Sequence, residues 1–338
     1  MYQDSSPAAR FDIPFPRRSN PAMDQARRLN QSWLISQKLA SGRPALFRYL
    51  AWNMAELGAY AYPDATLPGL QLAIDTLGWY TLFDDQLEGA SESRMDSVMA
   101  TCDALTSSLG NPSDSVGDGR SPVVRAWVDL WQRQIAGMSL GWRERAARDW
   151  TDCFQSFAVE TANRDRGVLL RAVECLALRR VSIGAYVWLD LVERVGRCEL
   201  PREAWRWPGL PKMRDVVADV SVYVNDVFSL MREEVRNDPH NVVLALQREN
   251  GASRAEAIEE ARRLATESAR HFSVLEESYF ASPAVAGLSS SQLASCRRVV
   301  TGMGAVMRGH YDWYDGTRRY SAAEIIPAGE PAFNEDLL

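Results

Sequence analysis

Apolar side chains recur every three and four residues through most of this chain, whereas segments that alternate apolar and polar in the manner of strands are few. That period predicts helices over residues 20–41, 44–60, 67–87, 91–109, 123–137, 140–163, 168–195, 213–235, 254–279 and 289–314. Local punctuation supports several ends. Asn20 and Pro21 suit the cap and first turn of the opening helix, and Gly42 suits its stop. Leu67–Leu87 is apolar nearly all round, the pattern of a helix enclosed by others. Gly184 predicts a break within 168–195, because glycine weakens a helix interior by roughly 1 kcal/mol relative to alanine. The run GNPSDSVGDGRSP reads as an exposed loop and the best candidate for disorder. The expected fold is all-α, with around ten helices.

Three parts follow from the same pattern. Residues 1–20 hold three prolines and suit an extended arm able to pack over a site; residues 21–320 form one helical domain; the acidic, proline-interrupted stretch 321–338 suits a flexible tail. A net charge of −6, with the arginines scattered, leaves no electrostatic footprint for nucleic acid. Five widely spaced cysteines without a CxxC pair read as buried thiols in a reducing compartment. The N-terminal stretch lacks an apolar signal region, and the most apolar run is short and interrupted by Asp75, so the reading is a cytoplasmic protein without a membrane span.

Candidate chemistry lies in two clusters. In NDVFSLMRE, residues Asn225, Ser229 and Glu233 stand four apart, which stacks an amide, a hydroxyl and a carboxylate on one helix face. Magnesium prefers such hard oxygens, keeps several waters and shares phosphate oxygens of a substrate, so this set suffices as the protein's part. In DDQLE, Asp84, Asp85 and Glu88 close a nearly wholly apolar helix, where their charges meet the negative end of the helix dipole. Divalent cations would relieve that conflict; plain solvation of a helix end would relieve it too. Helical stepping back from Asp84 reaches Tyr80, Leu77 and Ala73, and back from Asn225 reaches Val222, Ser221 and Ala218, all expected to line a pocket. Trp52, Tyr60, Phe83, Trp188 and Tyr223 are assigned to the core on the ground that most large aromatics serve packing. His240, His271 and His310 form no visible relay, no strand precedes a candidate serine as a hydrolase elbow requires, and no phosphate-cradling GxxxxGK[ST] run is present.

Together, DDQLE upstream and NDVFSLMRE downstream resemble the metal motifs of the bacterial class I terpene synthases. An Arg319–Tyr320 pair after the aromatic segment HYDWY resembles that family's C-terminal marker, and RRVSIG supplies Arg179, with Gly184 following, where the family carries a diphosphate-sensing arginine ahead of a helix break. The resemblance spans about residues 45–320 and implies a single-domain antiparallel helical bundle, three Mg²⁺ ions, and conversion of a linear isoprenoid diphosphate to a cyclic hydrocarbon or alcohol. It carries metal ligation to Asp84 or Asp85, within the DDQLE motif that Glu88 closes, and to Asn225, Ser229 and Glu233. Diphosphate contact is carried to Arg179, Arg232, Arg319 and Tyr320. Ser182 falls at the linker position, where the family often has Asp or Thr, and Ile183 at the effector position beside the catalytic Arg179. Thr81 stands beside Tyr80 where the family often has two aromatics, and Trp313 resembles an aromatic of the pocket wall.

The expected substrate is farnesyl diphosphate, with geranylgeranyl diphosphate as runner-up; a homodimer is compatible with this reading. Two rivals stand beside it. A chain-elongating prenyltransferase would carry a second DDxxD run in place of NDVFSLMRE, and a helical interaction protein would carry the clusters as mere surface.

Overall fold

The computed structural model describes residues 10–87, 95–110, 121–321 and 337–338. Fifteen helices and no strand occur among them. Helix α1 (Met23–Ser36) is followed by α2 (Arg43–Ala51), α3 (Met54–Ala61) and α4 (Leu67–Leu87), then by α5 (Met95–Ser108), α6 (Pro122–Ile135) and α7 (Leu140–Arg166). Beyond them come α8 (Ala172–Ser182), α9 (Ala185–Val195), the short α10 (Arg202–Trp205), α11 (Leu210–Arg236) and α12 (Val242–Asn250). Helices α13 (Arg254–Ala281), α14 (Pro283–Ala286) and α15 (Ser290–Tyr314) complete the described helices. Residues 111–120 of the expected loop lie outside the described residues.

Helix α4 is enclosed as its composition predicts: Leu72, Ala73, Ile74, Trp79, Leu82 and Phe83 are all buried. Its one interior charge, Asp75, accepts hydrogen bonds from Asn30 Nδ2 at 2.9 Å and Arg133 Nη2 at 2.8 Å, the condition on which a buried carboxylate is tolerated. Trp79, Trp127 and Trp150 pack with centroids 4.9 Å (Trp79–Trp127) and 4.5 Å (Trp127–Trp150) apart, so much of the tryptophan content serves the core.

Four local readings are corrected. The helix expected over 44–60 is two, because Asn53 adopts φ 56°, a left-handed conformation that asparagine tolerates better than most residues. Asn20 does not cap α1; its Oδ1 accepts from Ala22 N, and its Nδ2 donates to the Ala65 carbonyl at 2.8 Å, tying a turn to the α3–α4 link. Helix α12 was not anticipated, although Asn241 caps it by accepting from Val243 N and Leu244 N. Gly42 stands before α2 rather than at the end of α1, which stops at Ser36.

The break at Gly184 is present and has a steric basis. Gly184 has φ 75°, and a Cβ there would lie 2.9 Å from the Trp188 ring. Residues 10–20 run extended along α11, α13 and α15: Phe11 and Ile13 are buried, Phe15 packs edge-on against Phe272, and Arg262 Nε donates to the Arg10 carbonyl at 2.9 Å. At the other terminus Leu337 is buried, its N–H donating to Gln86 Oε1 at 3.2 Å and its carbonyl accepting from Val123 N. Among the described residues no helix is long and apolar enough to cross a membrane.

Candidate active site

Helix α11 presents Asn225, Ser229 and Glu233 on one face, as their spacing dictates. Glu233 is held by Asn241 Nδ2, and burial together with the neighbouring Asp226 charge pushes its carboxyl well above the ordinary range. Ser229 Oγ is buried and has no hydrogen-bond partner among the described residues. Asn225 Nδ2 donates to Tyr314 Oη at 2.7 Å, while its Oδ1 accepts from Arg179 Nη2 at 2.8 Å.

Across a polar hollow lies the end of α4, and its two aspartates are placed differently. Asp84 keeps 31% of its side-chain exposure and stands 3.5 Å from Arg319 Nη2. Asp85 is buried and accepts from Arg319 Nη1 at 2.9 Å, Arg319 Nη2 at 2.6 Å and Arg232 Nη2 at 2.6 Å. Burial alone would raise its carboxyl, but the two guanidinium groups outweigh that and hold it below the ordinary range. The structure therefore separates the doublet into a carboxylate that lines the site and a buried anchor for two arginines. Glu88 lies outside the described residues.

Arg179 occupies the last turn of α8, next to the break. Besides Asn225 it meets Asp226 Oδ1 at 2.9 Å, Ser182 Oγ at 3.4 Å and Glu160 Oε1 at 3.7 Å. Ser182 Oγ donates to Glu160, Tyr80 Oη donates to the Ser182 carbonyl, and Trp188 Nε1 donates to the Ile183 carbonyl at 2.9 Å. Ser182 and Ile183 thus join the break to Arg179 on one side and to two aromatics on the other. Arg319 and Tyr320 follow α15 in a turn pinned by Thr317 Oγ1 donating to the Trp52 carbonyl at 2.9 Å. Arg319 also lies 4.7 Å from the centroid of the Trp52 ring.

Below this polar mouth an apolar cavity opens between α3, α4, α9, α11 and α15. Leu77, Tyr80, Thr81 and Trp313 line it, together with Ser221, Trp188 and His310. Burial pushes the His310 imidazole down to about 4, which keeps it neutral. Ala73, Ala218 and Val222, expected on the wall, are fully buried and do not line it. Helical stepping gives angle but not depth: Ala73 and Ala218 lie eleven and seven residues from the motifs, and Val222, three residues back, is turned by about 60° from Asn225. Trp188 was assigned to the core and lines the cavity instead. His310, Tyr314, Asp226 and Glu160 were not assigned to the site; Asp226, beside Asn225, and His310 and Tyr314, at the two ends of the HYDWY run, had a local signal, and Glu160 had none.

A family model described as terpene synthase family 2, C-terminal metal binding, matches residues 75–271. The chain belongs to this terpene synthase family. The synthase is 33% identical to a (−)-β-caryophyllene synthase ((2E,6E)-farnesyl diphosphate cyclizing) of Saccharothrix espanaensis, over 97% of this chain and 93% of that one. It is 31% identical to a pentalenene synthase of Streptomyces avermitilis, over 97% of both. The crystal structure of a linalool/nerolidol synthase from Streptomyces clavuligerus superposes with TM-score 0.81 at 30% identity, covering 90% of this chain and 100% of that one. The all-α class I terpene synthase fold is shared, and the synthase is a lyase acting on isoprenoid diphosphates.

The donor set fits the divalent metal that this family's domain implies. Asn225, Ser229, Glu233 and Asp84 offer only hard oxygens. A cation would satisfy both the Ser229 hydroxyl, which has no partner among the described residues, and the Glu233 anion, which burial and Asp226 disfavour in spite of Asn241 and Arg179. Among the described residues no three His, Cys, Asp or Glu side chains cluster into a cage.

Proposed function

We propose that the synthase ionises farnesyl diphosphate with the aid of three Mg²⁺ ions and closes the resulting allylic cation to a cyclic sesquiterpene hydrocarbon or alcohol, releasing diphosphate. One observation carries this reading: an oxygen stripe at Asn225, Ser229 and Glu233 faces Asp84 beside Arg179, Arg232 and Arg319, and the mouth so formed opens on an apolar cavity bearing Trp188 and Trp313. The farnesyl chain length is supported by the similarity to the β-caryophyllene synthase, which cyclises (2E,6E)-farnesyl diphosphate.

Bound magnesium supplies fixed positive charge for the departing diphosphate. Asn225, Ser229, Glu233 and Asp84 hold it in this reading, with Glu88 as a further ligand by its place in the motif. Arg179, Arg232, Arg319 and Tyr320 receive the diphosphate; a guanidinium suits this because its planar fork binds two oxygens at once and keeps its charge. Asp85 orients Arg232 and Arg319 toward the mouth. Ser182 and Ile183 transmit the engagement of Arg179 to the helix break. Deeper in, Leu77 and Thr81 shape the wall, and the faces of Trp188, Trp313 and Tyr80 attract the cation by roughly 0.5–2 kcal/mol each.

The test is incubation with geranyl, farnesyl and geranylgeranyl diphosphates in turn, with Mg²⁺ or with EDTA, followed by gas chromatography–mass spectrometry. A cyclic fifteen-carbon product that requires Mg²⁺ is expected from farnesyl diphosphate. Turnover confined to another chain length would refute the substrate assignment, and longer prenyl diphosphates formed on adding isopentenyl diphosphate would assign chain elongation instead.

A further inference from the structure

An asparagine amide has an oxygen on one side and an NH₂ on the other, interchanged by a half-turn, and only the oxygen can ligate a hard cation. At Asn225 that choice is made by its neighbours. Oδ1 faces Arg179 Nη2 at 2.8 Å, and the two hydrogens of Nδ2 are directed at Tyr314 Oη at 2.7 Å and Tyr320 Oη at 3.4 Å. Tyr314 is itself held: its ring stacks on Phe228 at 4.5 Å and 10°, and Phe228 stacks in turn on Phe11 at 6.3 Å. The Tyr314 hydroxyl that accepts from Asn225 also lies 3.4 Å from His310 Nε2, a second polar contact that holds it in place. Arg179 on the oxygen side and Tyr314 on the NH₂ side thus oppose the flipped amide, which would bring Nδ2 against the Arg179 guanidinium.

We propose that Tyr314 is a positioning residue of the metal site, its hydroxyl fixing the Asn225 amide with the oxygen turned toward the mouth. This rests on the reading of Asn225 as a metal ligand given under Proposed function. Tyr320, the second partner of Nδ2, stands among the diphosphate contacts in that reading, so Tyr314 is the hold that remains when Tyr320 turns to substrate. Groups that orient metal ligands from behind typically set affinity by 10–100-fold.

The test follows the melting temperature during Mg²⁺ titration at fixed inorganic diphosphate. Tyr314→Phe keeps the stacked ring and removes only the hydroxyl; its Mg²⁺ midpoint is expected to rise about 10-fold or more over wild type. The decisive comparison repeats this in Asn225→Asp, whose two carboxylate oxygens are equivalent and need no orientation. There Tyr314→Phe should leave the midpoint within about twofold, a coupling that a general effect on the fold would not produce. An unchanged midpoint in the first comparison, or equal shifts in both backgrounds, overturns the proposal. A wild-type protein whose melting temperature ignores Mg²⁺ and diphosphate together overturns the metal-site reading itself, which separates the two failures.

Discussion

Asn225 and Glu233 lie two helical turns apart on α11, and each is bound to a neighbour that keeps its oxygen in the site. Asn225→Leu and Glu233→Gln are each predicted to lower product formation at least about 100-fold with the helix content of wild type, because loss of a ligand should cost no less than loss of its support. Retained turnover by either variant, with circular dichroism as the check on folding, would contradict the assignment. These residues were legible in the sequence because i, i+4 neighbours share a face whatever the tertiary fold. The clamp on Asp85 was not: Arg232 and Arg319 reach it across 147 and 234 residues, a pairing that no local pattern encodes. His310 gives a pH prediction with a definite sign. Its folded state is neutral down to about 4, whereas an unfolded histidine protonates near 6.5, so the unfolded chain binds the extra proton in between. The His310 contribution to stability is therefore lost as pH falls from about 6.5 to about 4. The difference in unfolding free energy between wild type and His310→Phe should move in favour of the variant over that window; a constant difference would contradict it.

Among the elements, the α8–α9 break is the one whose mechanics the sequence announced, through a single glycine. Gly184→Ala places a side chain in a left-handed conformation, at about 1–2 kcal/mol, and drives its Cβ toward the Trp188 ring. A fall in melting temperature is predicted together with slower turnover, because Arg179, Ser182 and the Trp188–Ile183 bond all meet at this turn. Wild-type stability and rate in the variant would show that the break carries neither strain nor function. Elsewhere, elements were misread where tertiary contacts outvoted local pattern. The run 44–60 has apolar residues enough for one helix, yet Asn53 donates to the Gly316 carbonyl at 2.9 Å and splits it. The split lets α15 press against α3 at Gly309, where a Cβ would overlap the Tyr60 backbone, and this contact sets where Trp313 and Tyr314 stand.

At the scale of the molecule, one core joins the helices to both described termini, since Phe11 and Leu337 belong to the same buried cluster as Trp79 and Phe157. Residues 10–20 of the expected arm form a packed strap against α11, α13 and α15. Phe11→Ala should cost about 3 kcal/mol, the lower end for a buried phenylalanine because the site lies at the edge of the core. Denaturant unfolding measures this, and a loss under about 1 kcal/mol would mean that the strap is not part of the folded unit. The bundle brings residues from α4, α8, α11 and α15 to one mouth, which the motifs implied, but the depth and aromatic lining of the cavity depend on packing that a single sequence does not display. The central claim is that the two clusters form one cation-dependent site for ionising the substrate. The most direct test is diphosphate release from farnesyl diphosphate by chelated protein as Mg²⁺ is restored. Release and cyclic product should be absent at first and rise together with Mg²⁺, and Glu233→Gln should stay silent at the same concentrations. Release that persists after chelation, or survives undiminished in Glu233→Gln, would contradict the claim.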